Sequence, residues 1–469
     1  MRTAFGGRDA GREVPHITMN TSVLEERKAS ISDRRRERGS TIRCESESVS
    51  GAVSQRACVY CGARVVLNPI TDAYHIVHGP IGCASYTWDI RGSLTSGAEM
   101  FRNSFSTDLR ETDIVFGGIK KLTAAIDELM EKANPAPKLI FVFATCIVGV
   151  IGDDIEAVCR AAEMKYGIRV IPVKAPGFSG TKTQGYKLAC DALMTLILPH
   201  ANQARRFGVN ILGDYNLAGE MWIIKGYLEQ IGIPVISTIT GDSSYEKLIH
   251  APSASLNIVQ CAGSSAYLAQ RMESELGIPS VRVSFFGIED STASLLRVAD
   301  ALGGNDNGIL ENARRFAAEK TAQILPVIEQ YRPRLQGKRA AIFVGGGFKA
   351  ISLIRQFNEI GMETVVVGTQ TGKKDEYETI GSLVDSGTVI LDDANPAELE
   401  RFMTEKNADI LVGGVKERPL AYKLGMAFCD HNHERKHPLA GFEGIENFVK
   451  EIHQSINSPV WKYVKGYAE

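Results

Sequence analysis

The strongest constraint on the fold of this chain is a repeating unit: a short apolar, β-branched run, a glycine-containing loop, then a stretch of helical periodicity. KLIFVFATC (138–146) leads into GDDIEAVCRAAEMKYG, where Ile155, Val158 and Ala162 recur at helical spacing behind an acidic first turn. IRVIPVKAPGF, RFGVNILGDYN, IPVISTITGD, SLNIVQCAG and SVRVSFFG repeat the pattern. Beyond a charged segment around 310–338, RAAIFVGGGFK, ETVVVGTQTG, GTVILDDAN and ADILVGGVKE continue it. Such strands, each followed by a helix, form parallel sheets covered on both faces. The expected fold class is α/β, with three doubly wound, Rossmann-like domains over 51–200, 201–335 and 336–469. Sheets of this kind bind ligands beyond the carboxyl ends of their strands. Cys146, Cys261, Gly345, Gly346, Gly347 and Lys416 all fall at that edge.

Residues 1–50 break the pattern. RKASISDRRRERGSTIRCESES is dense in charge and serine without an apolar period, which reads as a polar N-terminal tail. Met19, opening MNTSVLEERK, is an alternative start. Arg34, Arg35, Arg36 and Arg38 could grip an acidic surface or stand as a solvated arm. A net charge of −2 over 469 residues provides no global field for nucleic acid or an anionic membrane. No apolar run reaches the ~18 residues of a membrane helix. Nine cysteines are too few for a disulfide scaffold at this length, so a reducing cytoplasm is the expected location.

Cys58 in RACVYCGARVV, Cys83 in HGPIGCASYTW and Cys146 in FVFATCIVGV stand at turn-like positions among small neighbours, and Cys261 ends SLNIVQC. Thiolates bind iron and iron–sulfur clusters. Singly, each is well explained as a buried structural thiol; as a set at loop positions, they point to a cluster. Cys58-Val-Tyr-Cys61 has neither the second pair of a zinc ribbon nor thioredoxin-like surroundings, so Cys61 reads as structural. In HGPIGC the Gly-Pro and Gly residues force a tight turn, expected to leave backbone amides near the Cys83 sulfur.

GGGFK (345–349) lacks the spacing of a dinucleotide loop, and GTQTGKK (368–374) is one residue short of a phosphate loop. The glycines still allow close approach of a bulky ligand. Lys349 and Lys416 then either face an anionic ligand or stand exposed. DHNHERKH (430–437) carries three histidines, either as ligands or as a solvated loop.

The stretches CVYCGARVVLNPITDAYHIVHGPIGC, YTWDIRGS, FSTDLRETDIVFGG, TCIVGVIGDDIEAVC, APGFSG, NIVQC, VGGGFK and DHNHERKHPLAGFEG resemble the nitrogenase component 1 family. The resemblance runs along almost the whole chain after residue 50. It implies three α/β domains with a metallocluster cavity between them, in a heterotetramer with a homologous N subunit. Cys58, Cys83 and Cys146 match the positions that hold a cluster shared at the subunit interface, here a [4Fe–4S] unit completed by a cysteine of the partner. Cys261 matches the thiolate at one pole of the large iron–sulfur cofactor. At the other pole, where catalytic subunits use a histidine, the resemblance places Asn432 or His431, with Asn432 favoured and His431 or His433 nearby.

Departures from the catalytic pattern point to a cofactor-assembly scaffold. GFSGTKTQGYKLA supplies Lys182 and Tyr186 where catalytic subunits carry a glutamine and a histidine, and tyrosine cannot shuttle protons near neutral pH as imidazole does. An arginine clamp is replaced by Lys349, a point charge without the bidentate fork. Such a site holds its cluster less firmly, which suits release. The expected function is therefore to bind the iron–molybdenum cofactor or its iron–sulfur precursor, delivered by a precursor-cluster synthase. The precursor is matured there with molybdenum and homocitrate, with the iron protein docking, and passed to the apo catalytic component. Arg91, Lys349 and Lys416, with Gly346 and Gly347 in the loop, are the expected supports of the cluster or its organic acid. Whether the isolated subunit is itself an enzyme stays open, the scaffold reading leaning against it. One alternative is a nitrogenase-like ATP-dependent reductase of another small substrate, such as a methylthio compound, with Tyr186 and His431 in its active site. A cluster-free α/β enzyme with buried cysteines is a third.

Overall fold

The computed structural model describes residues 27–33, 42–44, 57–87, 103–303, 308–432, 435 and 437–464. Met19, Arg34, Arg35, Arg36, Arg38, Arg91 and His433 lie outside the described residues.

The first strand, β1 (Ile31–Asp33), belongs to the last sheet. The first sheet is built from β2 (Ala73–His78), β3 (Ser104–Ser106), β4 (Leu139–Ala144) and β5 (Arg169–Lys174), in the order β3-β2-β4-β5, all parallel. The second contains β6 (Arg206–Asp214), β7 (Val235–Thr240), β8 (Ala254–Val259) and β9 (Ser280–Arg282), ordered β7-β6-β8-β9 and again parallel. The third adds β10 (Arg339–Val344), β11 (Glu363–Thr369), β12 (Val389–Asp392), β13 (Ile410–Gly413) and β14 (Ala427–Asp430), in the order β1-β12-β11-β10-β13-β14. The α/β class is as expected. Among the described residues no helix is long and apolar enough to cross a membrane.

Local chemistry explains the elements. All six residues of β4, LIFVFA, are buried, as a strand covered on both faces requires. The helix Ile155–Tyr166 buries Ile155, Val158 and Ala162, the residues picked out by periodicity. Its N-cap Asp154 accepts a hydrogen bond from the Ala157 amide, and Gly167 ends it at φ 68, a left-handed conformation that glycine adopts without a Cβ penalty.

Strand order decides where ligands can bind. In the first sheet the chain steps from β2 outward to β3, and from β4 outward in the opposite direction to β5. The crevice between β2 and β4 is therefore a topological switch point. The same reversal separates β6 from β8 and β10 from β13. Cys83 and Cys146 follow β2 and β4, Asp214 and Cys261 end or follow β6 and β8, and Gly345 and Gly346 follow β10.

The expectation of a polar tail over 1–50 is corrected at residues 27–33. Arg27 is buried, and its guanidinium donates to Glu398 at 2.9 Å and to the Asp392 carbonyl. Residues Ile31–Asp33 then pair antiparallel with Val389–Leu391, covering the edge of the third sheet. A buried arginine fork matched to a carboxylate and carbonyls outweighs the local preference of a charged segment for water.

Candidate metallocluster sites

Three thiols gather at the carboxyl edge of the first sheet. Cys58 is the N-cap of the helix Val59–Leu67, Cys83 lies in the first turn of the helix Ile81–Thr87, and Cys146 begins the helix Cys146–Ile151. The helix Val59–Leu67 lies against the helix Lys182–Ile197 through Gly62 and Gly185. A Cβ on Gly185 would sit 2.0 Å from the Val59 carbonyl oxygen, so only glycine allows this approach. That contact brings Cys58 into a β-bridge with Thr181 and under the APGFSG loop. The Gly177 amide of this loop donates to the Cys146 sulfur at 3.1 Å. A Cβ on Gly177 would meet the Cys146 and Cys58 sulfurs at 3.0 and 3.3 Å.

The thiols also act on one another electrostatically. Burial, then the neighbouring Cys146 and Cys58, pushes the Cys83 thiol up from its ordinary range. Cys58 is pulled down to about 6, chiefly by its hydrogen bond with Cys61, and the same contact together with burial pushes Cys61 upward. Among the described residues no group of three or more His, Cys, Asp or Glu converges as one metal ion would need. A cluster makes a different demand, because its thiolates bind different irons and need not meet at one point. An amide-to-sulfur hydrogen bond is formed at Cys146, supplied by a loop about thirty residues away in sequence.

The second site is a cavity of about 860 Å³ of atom-free space, partly open to solvent, where the three sheets meet. Tyr186 reaches it from the first sheet's layer, Asp214, Gln260 and Cys261 from the second, and Gly346, Lys349, Asn432 and Arg435 from the third. Cys261 is the N-cap of the helix Ala262–Leu276, so its sulfur lies at the positive end of a helix dipole. Gly213, at φ +85, brings the end of β6 against Cys261: a Cβ there would be 2.9 Å from its backbone nitrogen. Gly345 and Gly346 open onto the cavity with no heavy atom within 4 Å of where a Cβ would stand, leaving room for a bulky ligand. Gly347 has a different task, since a Cβ would strike Glu376 at 2.7 Å. Glu376 accepts from the Phe348 and Lys373 amides, so the GTQTGKK loop braces the GGGFK turn.

Of the paired candidates in DHNHER, Asn432 lines the cavity and His431 does not. The His431 ring is fully buried between Phe286 and Phe448, with centroids 5.2 and 6.1 Å away, and neither ring nitrogen has a hydrogen-bond partner. Burial, with Lys349 and Arg435 nearby, holds it neutral, well below the ordinary histidine range. Lys349 donates to the His431 carbonyl at 2.9 Å, which turns the following residue toward the cavity. Lys416 is exposed and is not brought to the cavity wall.

Sequence reasoning missed several lining groups. Gln260 is buried, and its carboxamide oxygen and nitrogen both lack partners. Arg435 and Glu220, both buried, form an ion pair at 2.9 Å. Asp214 is pushed up to about 6 by burial and then by Glu220. Gln260 had a signal, being a polar residue at the end of an apolar strand beside Cys261; the ion pair joins distant segments and had none.

A cysteine at a helix N-terminus facing a glycine-lined cavity, and a separate edge carrying three thiols, are the two candidate cluster sites of this α/β fold. The chain belongs to the nitrogenase component 1 type oxidoreductase family, whose model matches residues 58–457. It is 64% identical over 449 residues to the nitrogenase iron-molybdenum cofactor biosynthesis protein NifE of Clostridium pasteurianum, covering 95% of this chain and 98% of that one. It is 52% identical to the protein of the same name from Methanosarcina barkeri, over 94% and 97% of the two chains. Among solved structures it is similar to "Nitrogenase Cp1 at pH 6.5", with a TM-score of 0.85 at 30% identity over 95% and 97% of the chains.

Proposed function

We propose that this chain acts in iron–molybdenum cofactor biosynthesis, as the scaffold subunit on which the precursor is held and matured before transfer to the apo catalytic component. The observation that carries this is the Cys261 cavity: one thiol at a helix N-terminus, glycine-lined space, and lysine and asparagine in place of a tight arginine and histidine grip. The cargo is the precursor cluster, anionic and bulky, with homocitrate added during maturation. Cys261 ligates it, Gly345 and Gly346 leave room for it, and Lys349, Asn432, Gln260 and Arg435 offer donors to its sulfides or carboxylates. Tyr186 closes the wall without a proton-shuttling imidazole.

Cys58, Cys83 and Cys146 fit a resident [4Fe–4S] cluster on structural grounds: three thiols on separate loops, and a backbone amide already directed at one sulfur. When bound, such a cluster supplies one-electron transfer. Its fourth ligand comes from the homologous N subunit in a heterotetramer. The helix Lys182–Ile197 links the two sites, since Thr181 bridges Cys58 while Tyr186 lines the cavity. The other partners in this reading are the iron protein, the precursor-cluster synthase and the apo catalytic component, and the location is cytoplasmic. Arg91 retains its expected supporting role.

The test is transfer. The purified complex is expected to activate apo-nitrogenase, and not to reduce small substrates when supplied with iron protein and ATP. Sustained turnover of a small substrate, such as a methylthio compound, without cofactor transfer would instead establish the reductase alternative. Cys261→Ala is expected to lose the large cluster and keep the interface one, and Cys83→Ala the reverse. Loss of both clusters in both variants contradicts two separate sites.

A further inference from the structure

Cys61 takes no part in the scheme above, yet its sulfur lies 3.8 Å from that of Cys58. The cause is local geometry. Cys58 is the N-cap of the helix Val59–Leu67 and Cys61 its third residue, two positions one turn apart whose side chains lie on the same side of the helix end. Their exposures differ: Cys61 is packed in the hydrophobic core at 2% exposure, while Cys58 is only partly buried and reachable. Cys83 and Cys146 arrive on separate loops after β2 and β4, so joining either to Cys58 would pull two loops together. Closing Cys58 onto Cys61 needs only an approach of about 2 Å within one helical turn, which side-chain rotation supplies.

We propose that Cys58 and Cys61 form a reversible disulfide whenever the chain carries no cluster on Cys58, holding that ligand sulfur in a recoverable state. Unprotected thiolates oxidise onward to sulfinic and sulfonic acids, which thiols do not reverse. A small-molecule disulfide is the oxidant. The Cys58 thiolate attacks one of its sulfurs, forming a mixed disulfide and expelling a thiolate. The Cys61 sulfur then attacks the Cys58 sulfur, its proton passing to the second departing thiol. Two protein thiols are oxidised and one small disulfide is reduced to two thiols. The protective purpose rests on the reading of Cys58 as a cluster ligand; the disulfide itself rests on geometry alone.

The experiment uses the full chain in complex with its N subunit, purified anaerobically, stripped of iron with a chelator and exposed to glutathione disulfide. Free thiols are then alkylated and the peptides mapped by mass spectrometry. A Cys58–Cys61 disulfide is expected as the main product, with no glutathione retained on Cys58. Cys61→Ser is expected to keep one glutathionyl group on Cys58. Treating the oxidised wild type with a dithiol is expected to restore the iron uptake of the untreated chain. Cys58 left free, paired with Cys83 or Cys146, or still glutathionylated in the wild type would overturn the proposal. Because the wild-type map stands alone, a misfolded variant does not blunt the test. An untreated complex that loads no interface cluster would refute the ligand reading, whereas normal loading without a Cys58–Cys61 bond refutes this proposal alone.

Discussion

The backbone amide of Gly177 donates a 3.1 Å hydrogen bond to the sulfur of Cys146, and the same residue lies against Cys58. One glycine of the APGFSG loop thus sets the spacing of two thiols that are far apart in sequence. In Gly177→Ala the added methyl would stand 3.0 Å from the Cys146 sulfur and 3.2 Å from the Cys58 Cβ. Overpacking of this kind costs about 1–3 kcal/mol, so interface iron should be held roughly tenfold more weakly. Iron analysis with electron paramagnetic resonance during chelator challenge reads this out, and retention equal to wild type would refute it.

Gln260→Leu should separate stability from binding. Removing a buried carboxamide without partners relieves a penalty of about 1–3 kcal/mol, so the cluster-free chain should melt at a higher temperature. Retention of the large cluster should fall by about tenfold as its donor is lost. A variant both less stable and equally retentive would contradict the assignment.

The Arg435–Glu220 pair ties the loop after β14, in the third sheet, to the start of the helix Glu220–Gln230. Glu220→Gln strands a buried guanidinium and should destabilise the chain by about 3–5 kcal/mol. The double variant with Arg435→Met should recover much of that loss. Additive losses in denaturant unfolding would show that the two residues act independently.

His75 predicts an acid limb in stability. Its ring stacks on Phe141 and Phe143 at 5.5 and 5.9 Å, and neither nitrogen has a partner. Burial holds its pKa well below the ordinary 6.5, so the unfolded chain binds the proton first as pH falls. Its contribution is intact above pH 6.5 and declines below it, by at most about 1.4 kcal/mol per pH unit for one proton. Urea unfolding of His75→Phe should show a shallower decline between pH 6.5 and 5, and an unchanged slope would exclude His75 as the source.

The repeating strand, loop and helix were legible in the sequence because each depends on neighbours within a few residues. Apolar runs such as LIFVFA can be buried only in a covered sheet, and Asp154 and Gly167 bound their helix by local hydrogen bonding and backbone freedom. The positions of Cys146 and Cys261 beyond strand ends followed from the same local pattern, as did the glycine-rich turn at 345–347.

Tertiary structure decided what those local signals leave open. Periodicity could not show that Ile31–Asp33 would leave a charged segment to cap a sheet edge, because the gain comes from Arg27 meeting Glu398 across the chain. Nor could it choose between His431 and Asn432: adjacent residues face opposite ways, and Lys349 and Phe286, distant in sequence, determine which way. Whether Lys416 reaches the cavity, and which glycine amide meets a sulfur, depend on how three sheets pack. The chain's pattern specifies its layers because hydrophobic burial is read locally. The sites need contacts between remote segments, and only packing creates those.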